Sequence, residues 1–345
     1  MAQQRVIFMK NFRTIWIFAS ALFLVHGPSA TLPVRAEEQV IVTYAGQSES
    51  AGDMWVGIEK GLFRKYGLDV RMLQVRNGPL VMATLATGDV KAIFPAASSA
   101  LSATSGGLKI SCVASSQNKL PRELVARKEI KSLDELRGKT FGVQSIGGGL
   151  WLQTMIVLES LGVDPEKHQL KMRVIGDIPT VTQALMSENI DAAVLPYSFA
   201  DIAKRAGFRS LADTATLKFG YQGNVLCVSR ELAANAPDLV TRIIKGVIES
   251  VVLIHGPSHK QDVMEVLRKN LRLAKAEDAE ASYRVLSSMT SLDIAPNFEA
   301  WRSIQRIVSR VNPKVGQVDL NQVLDGSFVR RIEESGFLSE MRKKL

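Results

Sequence analysis

Two cysteines, four histidines and an aromatic content of 6% are what this 345-residue chain has of the residue types that most often carry chemistry. Cys112 and Cys227 have no His or Cys neighbour at metal-ligand spacing, so no metal site is expected. Each lies in an apolar strand-like run, where a buried free thiol and a disulfide are both open readings. His255 and His259 stand four apart, but Pro257 between them spoils a shared helical face, and His168 is isolated. Gly147-Gly148-Gly149 is not followed by Gly-Lys-Ser/Thr, which excludes a phosphate-binding P-loop, and the spacing from Gly142 fails the dinucleotide fingerprint. Ser145 lies in no Gly-x-Ser-x-Gly elbow. No acid–base pair stands at credible spacing. The reading is a non-enzyme without cofactor or metal. Basic clusters with interleaved aromatics are also missing, so nucleic acid is not an expected partner.

The N-terminus is what the chain does have. Arg5, Lys10 and Arg13 precede an apolar run from Ile15 to Val25, with no acidic residue. The run is too short for a bilayer span, which needs about 20 residues. Basic start, short apolar core and small-residue exit predict a secretory signal peptide over residues 1–36, cleaved after Val34-Arg35-Ala36. Pro28-Ser29-Ala30 is a second candidate site, and an uncleaved anchor is the competing reading. No cysteine near either site supports a lipid anchor. Cleavage removes four basic residues, including one of the cleavage motif, and lowers the net charge from +9 to +5.

Strand-like and helix-like runs then alternate. Val40–Ala45, Leu68–Val75, Val90–Pro95 and Lys109–Ser115 read as strands, with helices over 53–60, 79–87 and 98–105. A second series has strands at Thr140–Val143, Leu170–Ile175, Asp191–Leu195 and Phe208–Leu211, and helices at 149–161, 179–187 and 199–206. Val225–Ser229 is one more apolar strand, and beyond Pro237 the pattern is helical. Ser132-Leu133-Asp134-Glu135 reads as a capping box. The fold class is therefore α/β with largely parallel sheets. Leu85–Ala92 parallels Leu185–Ala192 at an offset of 100 residues, which supports two similar halves.

Five segments carry a resemblance. They are Gly61-Leu62-Phe63 with Gly67-Leu68-Asp69-Val70; Leu85-Ala86-Thr87-Gly88-Asp89-Val90; Leu124–Arg127 with Leu133–Lys139; Phe141-Gly142-Val143 to Gly147-Gly148; and Asn189–Ala193. In this order they resemble the NMT1/THI5-like periplasmic binding proteins of sulfonate, taurine, nitrate and thiamine-precursor transporters. The resemblance covers residues 40–260. It implies a two-lobed type II periplasmic binding protein fold, with lobe one over 39–125 plus 225–345 and lobe two over 126–224. The chain crossings then fall near Val125–Arg127 and Gly220–Asn224. The family's returning strand would set Cys227 beside Cys112, which adds some weight to the disulfide and leaves both readings open. The eukaryotic pyrimidine synthases of this fold family use a His that has no match here.

Ligands of open α/β sheets bind beyond the carboxyl ends of the strands. Those loops offer Gln47, Ser48, Gly78, Ser98, Ser99, Ser145, Gly147, Gly148 and Thr180 as candidate ligand-binding residues, with Trp55, Tyr197 and Tyr221 as candidate apolar walls. Helix N-termini, hydroxyls and glycines suit a sulfonate, carboxylate or phosphate. Glu49 and Asp53 oppose that unless they cap helices or face solvent. The resemblance implies a monomeric, periplasmic solute-binding subunit of an ABC importer that closes on a small organic anion and docks on a membrane permease. A thiamine-precursor pyrimidine as ligand, or a sensing module for a membrane kinase, are the alternatives.

Overall fold

The computed structural model describes residues 37–217 and 220–345. The signal peptide expected over residues 1–36 lies outside the described residues. Among the described residues, no helix is long and apolar enough to cross a membrane.

The apolar runs become ten strands: β1 (Glu38–Ala45), β2 (Leu68–Val75), β3 (Ala92–Phe94), β4 (Ile110–Ala114), β5 (Arg122–Ala126), β6 (Thr140–Val143), β7 (Lys171–Val174), β8 (Ala192–Pro196), β9 (Arg209–Asp213) and β10 (Leu226–Ser229). They form two five-stranded sheets of the same design, β2-β1-β3-β10-β4 and β7-β6-β8-β5-β9. In each, the fourth position is held by an antiparallel strand, and this strand is the one that follows the crossing from the other sheet. The helices between strands are α1 (Gly52–Glu59), α2 (Gly78–Ala86), α3 (Ala97–Ser105), α4 (Gly149–Ser160), α5 (Ile178–Met186) and α6 (Tyr197–Arg205). After β10 come α7 (Arg230–Asn235), α8 (Pro237–His255), α9 (Lys260–Leu271), α10 (Ala276–Met289), α11 (Phe298–Val308), α12 (Ser327–Glu334) and α13 (Phe337–Arg342).

The first crossing lies earlier than the sequence indicates. Val125–Arg127 was the expected place, but Arg122–Ala126 is a buried strand paired with both β8 and β9. The chain crosses between Ala114 and Arg122, and returns between Asp213 and Leu226. The expected capping box is also corrected. Its helix is a single 3-10 turn over Asp134–Leu136, and Glu135 accepts from the Lys131 amide instead. The internal repeat has a structural counterpart. Gly88 and Glu188 occupy the same turn after α2 and α5, and both adopt positive φ, +78° and +58°. Glycine does this freely, and Glu188 at a cost.

Cys112 and Cys227 sit opposite each other in the β4–β10 pair, both buried and both free. The Cys112 backbone bonds Val323 and Asp325 on its other side. Burial, then the neighbouring thiol, pushes the Cys227 thiol well above its usual range.

Around the first sheet the core depends on close helix approach. A Cβ at Gly246 of α8 would lie 2.2 Å from Phe63 Cδ1, and Phe63 is fully enclosed. Gly246→Ala gains about 1 kcal/mol of helix propensity but overpacks a rigid ring, at about 1–3 kcal/mol. The melting temperature should therefore fall in a thermal scan. An unchanged or higher value would show that Phe63 has room to move.

Candidate functional site

The carboxyl ends of the strands of both sheets face one another, and three cavities lie between them. The largest, about 670 Å³, is lined by Gln74–Asn77 at the end of β2, by Gln144–Ile146 after β6 and by Val174–Asp177 with Thr180. Its apolar lining is Val75, Ile146, Val174 and Ile175. Behind it is a chamber of about 40 Å³ lined by Gly46, Ser48, Ser50, Gly78, Ala96, Ser99, Gln144, Gly149, Gln153 and Asn224, among others. That is room for a water or two. Gln144 lines both spaces, and its Nε2 donates across the cleft to the Arg76 carbonyl at 2.9 Å. A third cavity, about 290 Å³, is lined by Pro79, Met82, Ser99, Ile146, Gly147 and Gly148 with neighbours from α3.

Helix N-termini differ in how they are finished. Asn77 caps α2 by accepting from the Leu80 amide, and Asp177 caps α5 by accepting from the Thr180 amide. Helices α3 and α4 begin at Ala96 and Gly148 with no side-chain cap. Their first amides therefore keep unspent donors. These two ends come from opposite sheets and nearly touch: a Cβ at Gly149 would lie 3.0 Å from Ala96 Cβ. Two positive dipole ends thus converge on the inner chamber. Gly78 is required where it is, because a Cβ there would fall 2.1 Å from the Ser99 hydroxyl.

The structure gathers some candidates and disperses others. Ser48, Gly78 and Ser99 line the inner chamber, while Ser145, Thr180, Gly147 and Gly148 line the outer spaces. Ser145 Oγ is buried without a partner, whereas Thr180 Oγ1 is spent on Asp177 Oδ1 at 2.6 Å. Five expectations are corrected. Trp55 is a core residue, edge-on to Tyr44 with ring centroids 6.0 Å apart. Gln47 turns outward to the Asn270 carbonyl at 2.8 Å. Ser98 is fully buried and lines none of these cavities. Tyr221 is buried behind Gln153, from whose amide it accepts at 3.2 Å. Tyr197 donates to Asp213 and lines a separate cavity beside the crossings, with Asn118, Lys119 and Leu217.

Residues that the strand-end loops do not single out complete the chamber. Ser50, Gln153 and Asn224 line it, and Arg122 stands behind the first two. Arg122 is fully buried. Its Nε donates to Gln153 Oε1 at 3.0 Å, one Nη to the Pro121 carbonyl at 3.0 Å and the other to Ser50 Oγ at 3.4 Å. Burial lowers its pKa, while Tyr221, Glu49 and Tyr197 act the other way. An Arg-Glu pair opening the apolar run Leu124–Ala126 was the available signal.

Glu49 and Asp53 are both fully buried rather than solvent-facing, and neither lines these cavities. Glu49 Oε1 accepts from Ser198 of α6, across the two halves. Asp53 accepts from Ser116 Oγ at 2.5 Å and from the Met54 amide at 2.9 Å. Its carboxyl is pushed up, chiefly by burial, against those hydrogen bonds.

Two like sheets, each built on parallel strands and joined by two crossings with a cleft at the strand ends, define a two-lobed periplasmic binding protein fold. Residues 49–255 match the family described as NMT1/THI5 like, and the chain belongs to that family. A candidate binding protein of Brucella abortus (strain 2308) is 28% identical over 284 residues, 80% of this chain and 84% of its own length. Among solved structures, one from Bordetella bronchiseptica RB50 superposes with a TM-score of 0.73 at 17% identity, covering 87% of this chain and 98% of that one. The periplasmic aliphatic sulphonate binding protein SsuA from Escherichia coli gives a TM-score of 0.66 at 18% identity, covering 84% and 92%.

Asp53 makes stability depend on pH in a defined sense. A raised carboxyl pKa means that the folded state holds a proton the unfolded state has lost. Stability therefore falls as pH rises from the ordinary value of 3.8 through the raised one. Asp53→Asn is neutral throughout. Its melting temperature relative to wild type should improve as pH is taken upward across that window. A difference that does not vary with pH would contradict the buried-charge assignment.

Proposed function

We propose that this protein is the solute-binding subunit of an ABC importer and that its solute is a small organic anion, a sulfonate or carboxylate. The observation that carries the reading is the meeting of two uncapped helix N-termini from opposite sheets at one chamber lined by Ser48, Ser50 and Ser99. A helix start offers amide donors and a positive dipole end without a mobile counter-charge, which suits an oxyanion. The larger space outside, walled by Val75, Ile146, Val174 and Ile175, has the character to take an apolar substituent. This favours an organic anion over a small inorganic one. The sulphonate-binding neighbour supports the same class.

The two sheets, divided at the crossings over 115–121 and 214–225, act as the two lobes. The solute binds between them and stabilises the closed arrangement, shifting a balance between open and closed forms. The closed form is what a permease recognises. The protein acts outside the cytoplasm as a monomer and changes no bond of its solute.

A thermal-shift series tests this. A ligand present at 100 times its dissociation constant raises stability by about 2.7 kcal/mol. Some member of a set of alkane- and arylsulfonates and aromatic carboxylates is expected to raise the melting temperature. Gly149→Val, whose side chain meets Ala96 as the lobes close, should weaken that ligand more than tenfold while the unliganded fold persists. No shift with any organic anion, or chemical turnover of one, would refute the proposal.

A further inference from the structure

We infer that Arg122 is the hidden electrostatic anchor of the solute site: a positioning residue that turns the hydroxyl of Ser50 and the amide of Gln153 into donors toward an anion it does not touch. The inference rests on the anion reading above and deepens it.

Arg122 is among the largest fully buried side chains of the protein. A guanidinium cannot shed its proton, so its charge stays in the interior. A buried charge ordinarily has a partner of opposite sign. Among the described residues Arg122 has no carboxylate within salt-bridge distance, although twenty such contacts occur elsewhere. Glu49 acts on it only through space, since Glu49 Oε1 is committed to Ser198. Its three bonds all go to neutral oxygens, and two of these belong to residues that line the inner chamber.

The direction of those bonds matters. The guanidinium donates to Ser50 Oγ, so that oxygen's acceptor capacity is turned toward Arg122 and its O–H is left to point elsewhere. It also donates to Gln153 Oε1, so the part of Gln153 that remains is the NH₂. One of its hydrogens serves Tyr221, and the second is unassigned. The Ser50 carbonyl is likewise occupied, by Gln117 Nε2 at 2.7 Å and Asn224 Nδ2 at 3.2 Å. The acceptors of this wall therefore face inward to the protein, and its donors face the chamber. An anion entering between the two helix ends would meet the donors of Ser50 and Gln153 on this wall, with a full positive charge one side chain behind them. A neutral ligand of the same shape gains nothing from that charge.

The prediction is one of charge discrimination, which a merely structural arginine would not control. Benzenesulfonate and benzenesulfonamide are the probe pair, measured by calorimetry on the mature protein. Wild type should prefer the sulfonate. Arg122→Gln should reduce that preference by about ten- to a hundredfold, the range for losing one partly shielded charge at such a distance. Arg122→Lys, which keeps the charge, should restore most of it. If Arg122→Gln retains the wild-type preference, or Arg122→Lys loses as much as Arg122→Gln, the inference is wrong and the anion reading stands. If wild type itself shows no preference for the sulfonate, both fall together. Should Arg122→Gln not fold, a double-mutant cycle of Arg122→Lys with Ser50→Ala replaces it. Non-additive losses of threefold or more support action through Ser50, and additive losses exclude it.

Discussion

The carbonyl of Ser50 is the point on which the two halves depend. It is buried, and a buried carbonyl must find donors. It finds two, Gln117 from the first crossing and Asn224 from the second. The crossings are also bonded to each other, Asn224 N to Gln117 Oε1 at 3.1 Å and Ser115 Oγ to the Asn224 carbonyl at 2.6 Å. Gly223 permits this, because a Cβ there would stand 2.6 Å from Gln117 Oε1. One short turn after β1 thus fixes where both crossings run.

The same small volume concentrates charge. Glu49, Asp53 and Arg122 are all fully buried; Glu49 is on the turn after β1, Asp53 in the first turn of α1 and Arg122 at the start of β5. Each is handled differently. Asp53 has a hydroxyl and an amide as donors and a carboxyl made reluctant to ionise. Glu49 reaches across to α6, and its second oxygen has no partner. Arg122 relies on neutral oxygens. Buried ionic groups are poor contributors to stability compared with apolar ones of the same volume. Of the three, only Arg122 bonds residues that line the inner chamber.

Much of this architecture was legible in the residues. Strand β2 and strand β6 coincide with their apolar runs, and the other strands and helices between them differ by a residue or two, because the βα units alternate cleanly and most of their helices end at a glycine. Strand β5 was not seen as a strand. Arg122 and Glu123 open it with charges, and only the pairing with β8 and β9 shows that both are buried. The site was half legible for the same reason. Loop position identifies Ser48, Gly78, Ser99 and Ser145, since these follow directly from where strands stop. It cannot identify Gln153, which lines the chamber from inside a helix, or Arg122, which stands behind the chamber wall from inside a strand. Nor can it tell a wall aromatic from a core one, and Trp55 belongs to the core.

Gln144 lines both the chamber of about 40 Å³ and the space of about 670 Å³ outside it, and its amide bonds the Arg76 carbonyl across the cleft. For the organic anion proposed above, escape of a head group from behind this bond would require the bond to open and the sheets to part. That makes residence time a property of the protein as much as of the solute. Differences among related solutes would then be expressed mainly in how slowly each escapes, with arrival rates much alike. For the importer subunit proposed above, slow escape is the property that would decide whether a captured molecule is delivered.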